Sequence, residues 1–136
     1  MPLSEIEEAF GITVDGQPRT RLHDVRERLG LPIDGPRPPR ETQDSICKWV
    51  VDTFGTAGTN LAVAVRTNEE MAELLAKLRD DDDDIEAAIE AADVIICLLR
   101  IFERLGLQYT DVLDAKMELN RRREWNLTGT GHGYHK

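Results

Sequence analysis

Two pairs of acids share one offset in this chain: Glu70 with Glu73, and Glu90 with Asp93. Three residues apart on a helix, both carboxylates of a pair leave from one face, so each pair can act as a set of oxygen donors. If the two helices run antiparallel, four donors converge on one volume, where unneutralised carboxylates repel strongly. A hard divalent cation relieves that repulsion, and an all-oxygen set selects Mg²⁺ or Mn²⁺ over zinc. Such a site suits displacement at phosphorus. Bound ions neutralise phosphate oxygens and hold a water near the reacting phosphorus, so no His or Ser nucleophile is needed.

Two structural readings compete with this one. Glu70 and Glu73 lie opposite the stripe Met71, Leu74, Leu75 and Leu78, where a solvated acidic face would also lie. Glu90 and Asp93 abut the apolar run Val94–Leu99, within an ionisable stripe that continues through Cys97, Arg100 and Arg104. An internal ladder joining Asp93 or Glu90 to Arg100, or to a lysine of another helix, would satisfy them without a metal.

The elements that must position these residues read as helical. Residues 1–29 suggest one or two short helices, with Ser4 and Glu7 in a capping-box pattern and Leu22, Val25 and Leu29 on one face. The prolines and glycines of 30–40 make a linker, so 1–40 is an N-terminal arm. From Glu41 a regular pattern begins, with Ile46, Trp49, Val50 and Phe54 as one stripe ended by Gly55. Residues 61–66 could be a strand by composition, but no partner strand is evident, and they are assigned to helix or loop. Thr67 with Glu70 reads as a capping box that starts a helix running to about Arg79.

The five aspartates 80–84 repel one another and suit a solvated turn, with Asp84 as the cap of the next helix, about 85–105. That helix is apolar around most of its girth at 94–99 and is expected to be central. Gly106 ends it, Thr110 is expected to cap a last helix reaching about Trp125, and 126–136 is a glycine-rich tail. The reading is an all-α helical bundle at 41–125 between an arm and a tail.

Composition excludes several classes. With 17 basic against 26 acidic residues the net charge is −9, which disfavours general nucleic-acid binding. No run approaches the length of a membrane span and the start lacks the blocks of a signal peptide, so a cytoplasmic protein is expected. Cys47 and Cys97 sit within helical patterns and read as reduced packing thiols. Gly129, Gly131 and Gly133 neither follow a strand nor open a helix, which removes a phosphate-loop reading, and His132 with His135 lack further zinc ligands nearby.

The order Glu69-Glu70-x-x-Glu73, then Glu90-x-x-Asp93, then Lys116-x-x-x-Asn120 and the ending NRRREW…GTGHGYHK resembles the MazG-type all-α nucleoside triphosphate pyrophosphohydrolases. Within them it looks most like the small phage and bacterial dATP/dGTP diphosphohydrolase branch. The resemblance covers about Glu41 to the C-terminus and leaves the arm outside. It implies a bundle whose site is completed in a homodimer or homotetramer, in a bacterial cytoplasm or, for a phage gene, that of the host. It implies hydrolysis of (deoxy)nucleoside triphosphates, purine deoxynucleotides such as dGTP and dATP foremost, to monophosphate and pyrophosphate with Mg²⁺ or Mn²⁺. By the same resemblance Glu70, Glu73, Glu90 and Asp93 are the metal ligands. Glu69 would be a further ligand or would orient the attacking water. Lys116 and Asn120, on one helical face, and Arg123 would meet phosphate or sugar, although a helix C-terminus also attracts arginines through its dipole. Phosphoribosyl-ATP is the alternative substrate. A nucleotide-binding or helical interaction protein without turnover is the alternative of another class.

Overall fold

The computed structural model describes residues 21–136; the expected cap at Ser4 and Glu7 lies outside them. Five α-helices and one hairpin follow in order: α1 (Arg21–Arg28), α2 (Gln43–Phe54), α3 (Asn60–Ala76), α4 (Asp84–Arg104), α5 (Tyr109–Arg122), β1 (Trp125–Leu127) and β2 (Gly133–His135). The fold is thus mostly helical. Helix α4 is its hub: α3 lies along it, and α1 and α2 also pack against it.

Helix α2 begins as its sequence asks. Thr42 accepts from the backbone N–H of Ser45, and the Ser45 hydroxyl accepts from that of Thr42, closing a capping box. The helix buries Gln43, Cys47 and Val50, one turn apart. Trp49 and Phe54, expected in the same stripe, are instead 56% and 69% exposed and meet each other edge-on at 5.5 Å.

Helix α3 departs most from expectation. It starts at Asn60, capped by Thr59, whose hydroxyl accepts from the Ala62 N–H. Residues 61–66 therefore belong to this helix. Thr67 is no cap; its hydroxyl donates to the Val63 carbonyl 2.8 Å away within the helix. The inward face is also inverted. Val63 and Glu70 are buried and Leu74 is half-buried, whereas Leu75 is 59% exposed, and Met71, Glu73 and, in the turn that follows, Leu78 are exposed as well.

After Ala76 the chain widens into a π-helical turn, Lys77–Asp81. It then reverses at Asp82, which holds a left-handed φ of 46°. Asp83, one residue earlier than expected, caps α4 by accepting from the N–H groups of Ile85 and Glu86 at 3.1 Å. The aspartate turn also anchors α1. Arg28 reaches Asp83 and Glu86, each at 2.9 Å, and Arg21 reaches Asp84 at 3.4 Å.

At the far end of α4, buried Gln43 performs the capping expected of Thr110. Its amide donates to Glu103 (3.0 Å) and to the Leu107 carbonyl (2.7 Å), and its carbonyl accepts from the Tyr109 N–H (2.7 Å). Helix α5 accordingly starts at Tyr109 without a side-chain cap of its own. Gln43→Ala would remove three hydrogen bonds at about 1 kcal/mol each and should cost about 3 kcal/mol, read as a lower urea midpoint with unchanged slope.

The tail is a hairpin rather than a featureless segment: Trp125 opposes His135, Asn126 opposes Tyr134 and Leu127 opposes Gly133. Gly129 and Gly131, with φ of 79° and 84°, supply the left-handed positions of its turn. The last helix consequently ends at Arg122, short of Trp125. Among the described residues, no helix is long and apolar enough to cross a membrane.

Candidate functional site

The site sits where α3 lies along α4. Glu70 projects from the buried face of α3, and Glu90 and Asp93 project one turn apart from α4. Oxygens of all three carboxylates lie within 4.8 Å of one another. Glu70 is only 6% exposed, and Glu90 and Asp93 are half-buried. Of the expected ligands, Glu73 stands just beside this trio rather than in it.

Burial is the main reason the Glu70 carboxyl is pushed above the usual range; Arg66 pulls it down, and the charges of Glu73 and Asp93 push it up further. Glu90 is likewise raised, first by burial and then by Glu73 and Asp93, with Lys77 offsetting part of the effect. Glu73 and Asp93 thus make ionisation of both Glu70 and Glu90 more costly, as in a donor set short of a cation.

The arrangement also distinguishes the readings open from sequence. The acidic face of α3 is not solvated at Glu70, because that face is the one turned to α4. The ladder through Arg100 or a lysine is not formed: among the described residues, no ion pair joins Glu90 or Asp93 to a cation. The site's ion pairs belong to Arg66, which binds Glu69 at 2.8 Å through one nitrogen and Glu70 through another. Glu69 itself is exposed. Sequence reasoning passed over Arg66, although its spacing of three and four from two glutamates was visible.

Beside the carboxylates opens a cavity of about 390 Å³. Glu70 and Asp93 form its acidic wall, Arg66 and Arg100 its basic one, and Trp49 and Phe54 an apolar rim. Lys116, Asn120 and Arg123 do not line it. They belong to α5 and the residue after it, a helix with no buried residue that runs largely clear of the others. Asn120 is the notable one. Its Oδ1 is buried without a hydrogen-bond partner, while its backbone carbonyl accepts from the Trp125 indole at 3.0 Å.

A buried glutamate with two further carboxylates at this range, ion-paired among the described residues to one half-exposed arginine, could hold a divalent metal ion. No family model matches the chain, and no solved structure does. A curated relative, the dATP/dGTP diphosphohydrolase of Cyanophage S-2L, is 31% identical over 93 residues, which are 67% of this chain and 81% of that protein. With acidic helices packed as described and identity extending over most of both sequences, the chain belongs to the family of this cyanophage diphosphohydrolase.

Proposed function

We propose that the protein is a MazG-type pyrophosphohydrolase that cleaves (deoxy)nucleoside triphosphates to monophosphate and pyrophosphate with Mg²⁺ or Mn²⁺, preferring purine deoxynucleotides. The observation that carries this is the convergence of Glu70, Glu90 and Asp93 in a chain related to an enzyme named for dATP and dGTP. Purine preference rests on that relative's name alone.

In this reading Glu70, Glu90 and Asp93, with Glu73 beside them, hold the metal. The bound ion would neutralise phosphate oxygens and lower the pKa of a water. The chain's own residues do the rest. Burial of Glu70 fixes its carboxylate in place and keeps bulk water from one side of the site, so little reorganisation is required as charge moves. Arg66 and Arg100 give the cavity the positive wall that a polyphosphate needs in a protein of charge −9. Trp49 and Phe54 offer an apolar rim to a base. Glu69, at the edge, would orient the attacking water once Arg66 releases it.

Assembly belongs to the same proposal. The core of one protomer is small: Val63 is the largest side chain fully buried among the described residues, while Leu75, Leu78, Leu113 and Leu119 are exposed. A protomer with so little interior and so many outward leucines fits a homodimer or homotetramer. In such an assembly α5 of one subunit can bring Lys116, Asn120 and Arg123 to the cavity of another.

The test is pyrophosphate release from the eight common NTPs and dNTPs, with Mg²⁺ or Mn²⁺ and an EDTA control. Metal-dependent release, greatest from dATP or dGTP, is the expected result. No release from any of the eight, while nucleotide still raises the melting temperature, would replace the enzyme with a nucleotide-binding protein.

A further inference from the structure

We propose that Arg66 is the resident counter-cation of the carboxylate site, displaced by the incoming metal ion and thereby turned from the acids to the phosphates of the substrate. This rests on the metal-site reading above.

The geometry assigns the role. Arg66 stands one turn before Glu70 on α3 and splits its guanidinium between Glu69 at 2.8 Å and the buried Glu70. Without it, Glu70 would be an ionised, nearly solvent-free carboxylate facing Asp93 and Glu90, a costly state. Yet the Arg66 side chain is itself 51% exposed, so it can leave without opening the core. A metal bound by Glu70 takes the acceptor that Arg66 uses and adds a like charge beside it, so the two cations compete for one carboxylate. Arg66 also lines the cavity with Arg100, so its next available acceptor is an anion held there. One side chain would then oppose metal binding in the empty protein and assist polyphosphate binding in the loaded one.

An ordinary helix-surface pair of this spacing predicts something different. Its removal would barely lower stability and would leave metal affinity unchanged.

The experiment is a calorimetric titration of Mn²⁺ into the full-length wild type and into Arg66→Gln, Arg66→Lys and Glu70→Gln. Arg66→Gln should bind Mn²⁺ about tenfold more tightly, about 1.4 kcal/mol at that ratio, and raise the KM for nucleotide by a similar factor. Arg66→Lys, which keeps the charge but loses the fork that spans Glu69 and Glu70, should fall between wild type and Arg66→Gln in both. Equal or weaker Mn²⁺ binding by Arg66→Gln, with wild type binding normally, would overturn the inference and leave the metal site standing. If neither wild type nor the Arg66 variants bind Mn²⁺, the metal-site reading fails and the inference with it. A readout that needs no variant is the Arg66 Nε resonance of the wild type. It should move on adding Mg²⁺ alone, and an unmoved resonance in protein that binds Mg²⁺ would also overturn the proposal.

Discussion

Asp93→Asn should lower pyrophosphate release by about a thousandfold or more while leaving the helices intact, because it removes a charged donor from a set that acts as a unit. Glu90→Gln should behave alike. Neither change disturbs packing, since both keep the side chain's shape at positions that are half-buried. Each also removes one charge from a group of mutually repelling carboxylates, so the metal-free variants should melt at or above the wild-type temperature. Loss of activity with unchanged or greater stability separates a functional carboxylate from a structural one. Asp82→Asn is the contrasting substitution. Asp82 is exposed in the aspartate turn and holds a left-handed backbone conformation that asparagine adopts readily, so activity and melting should both stay near wild type. Full activity in Asp93→Asn, or a large loss in Asp82→Asn, would move the site from the α3–α4 face to the turn.

The second large effect is on stability, through pH and metal. Glu70 and Glu90 are both raised above the ordinary glutamate value of 4.5. The folded metal-free protein therefore retains protons that the unfolded chain has already released, and its stability falls as pH climbs from 4.5 through the folded values. Asp83 runs the other way. Its bonds from the Glu86 N–H and from Arg28 hold it below 3.8, so its contribution is present above that value and is lost as pH falls through its folded value. Metal-free protein should accordingly be most stable in mildly acidic solution and weaken toward neutrality. A divalent cation reverses the neutral end: at a hundred times its Kd it adds about 2.7 kcal/mol, or roughly 10 °C in Tm. The same cation should do little near pH 4, where Glu70 and Glu90 hold their protons. Melting curves across pH 4–8, with EDTA or Mn²⁺, read both arms. A metal-free Tm that rises steadily to neutrality would contradict the raised carboxyls.

The chemistry of this chain was more legible in its sequence than its packing. Carboxylates three apart on a helix share a face whatever that helix touches, so spacing offered Glu70, Glu73, Glu90 and Asp93 as a set, of which the fold groups Glu70, Glu90 and Asp93. The apolar run 94–99 likewise marked α4 as the hub. What spacing could not provide was which side of α3 faces inward. The wheel shows a leucine face and an acidic face, and the usual rule buries leucine; here Glu70 is buried and Leu75 is exposed within the protomer. Glu70 turns toward Glu90 and Asp93 of α4, and the exposed leucines fit the subunit contact proposed above.

Two caps were misplaced for a related reason. Thr67 looked like a start because a hydroxyl with a glutamate three residues later is a strong local signal, but Thr59 offers a cap about two turns earlier and nothing between interrupts the helix. The start of α5 depends on Gln43, more than sixty residues away, which no local window contains. The hairpin was missed because its strands are only three residues each, and its glycines read as looseness rather than as a turn.

The most direct test of the central claim is hydrolysis of dATP and dGTP in ¹⁸O-water with Mn²⁺, with the products identified by mass. A metal site that positions water at the α-phosphorus predicts one ¹⁸O in the deoxynucleoside monophosphate, none in pyrophosphate, and no reaction in EDTA or with Asp93→Asn. Label in pyrophosphate, release of orthophosphate from the γ position, or turnover that survives EDTA would contradict it.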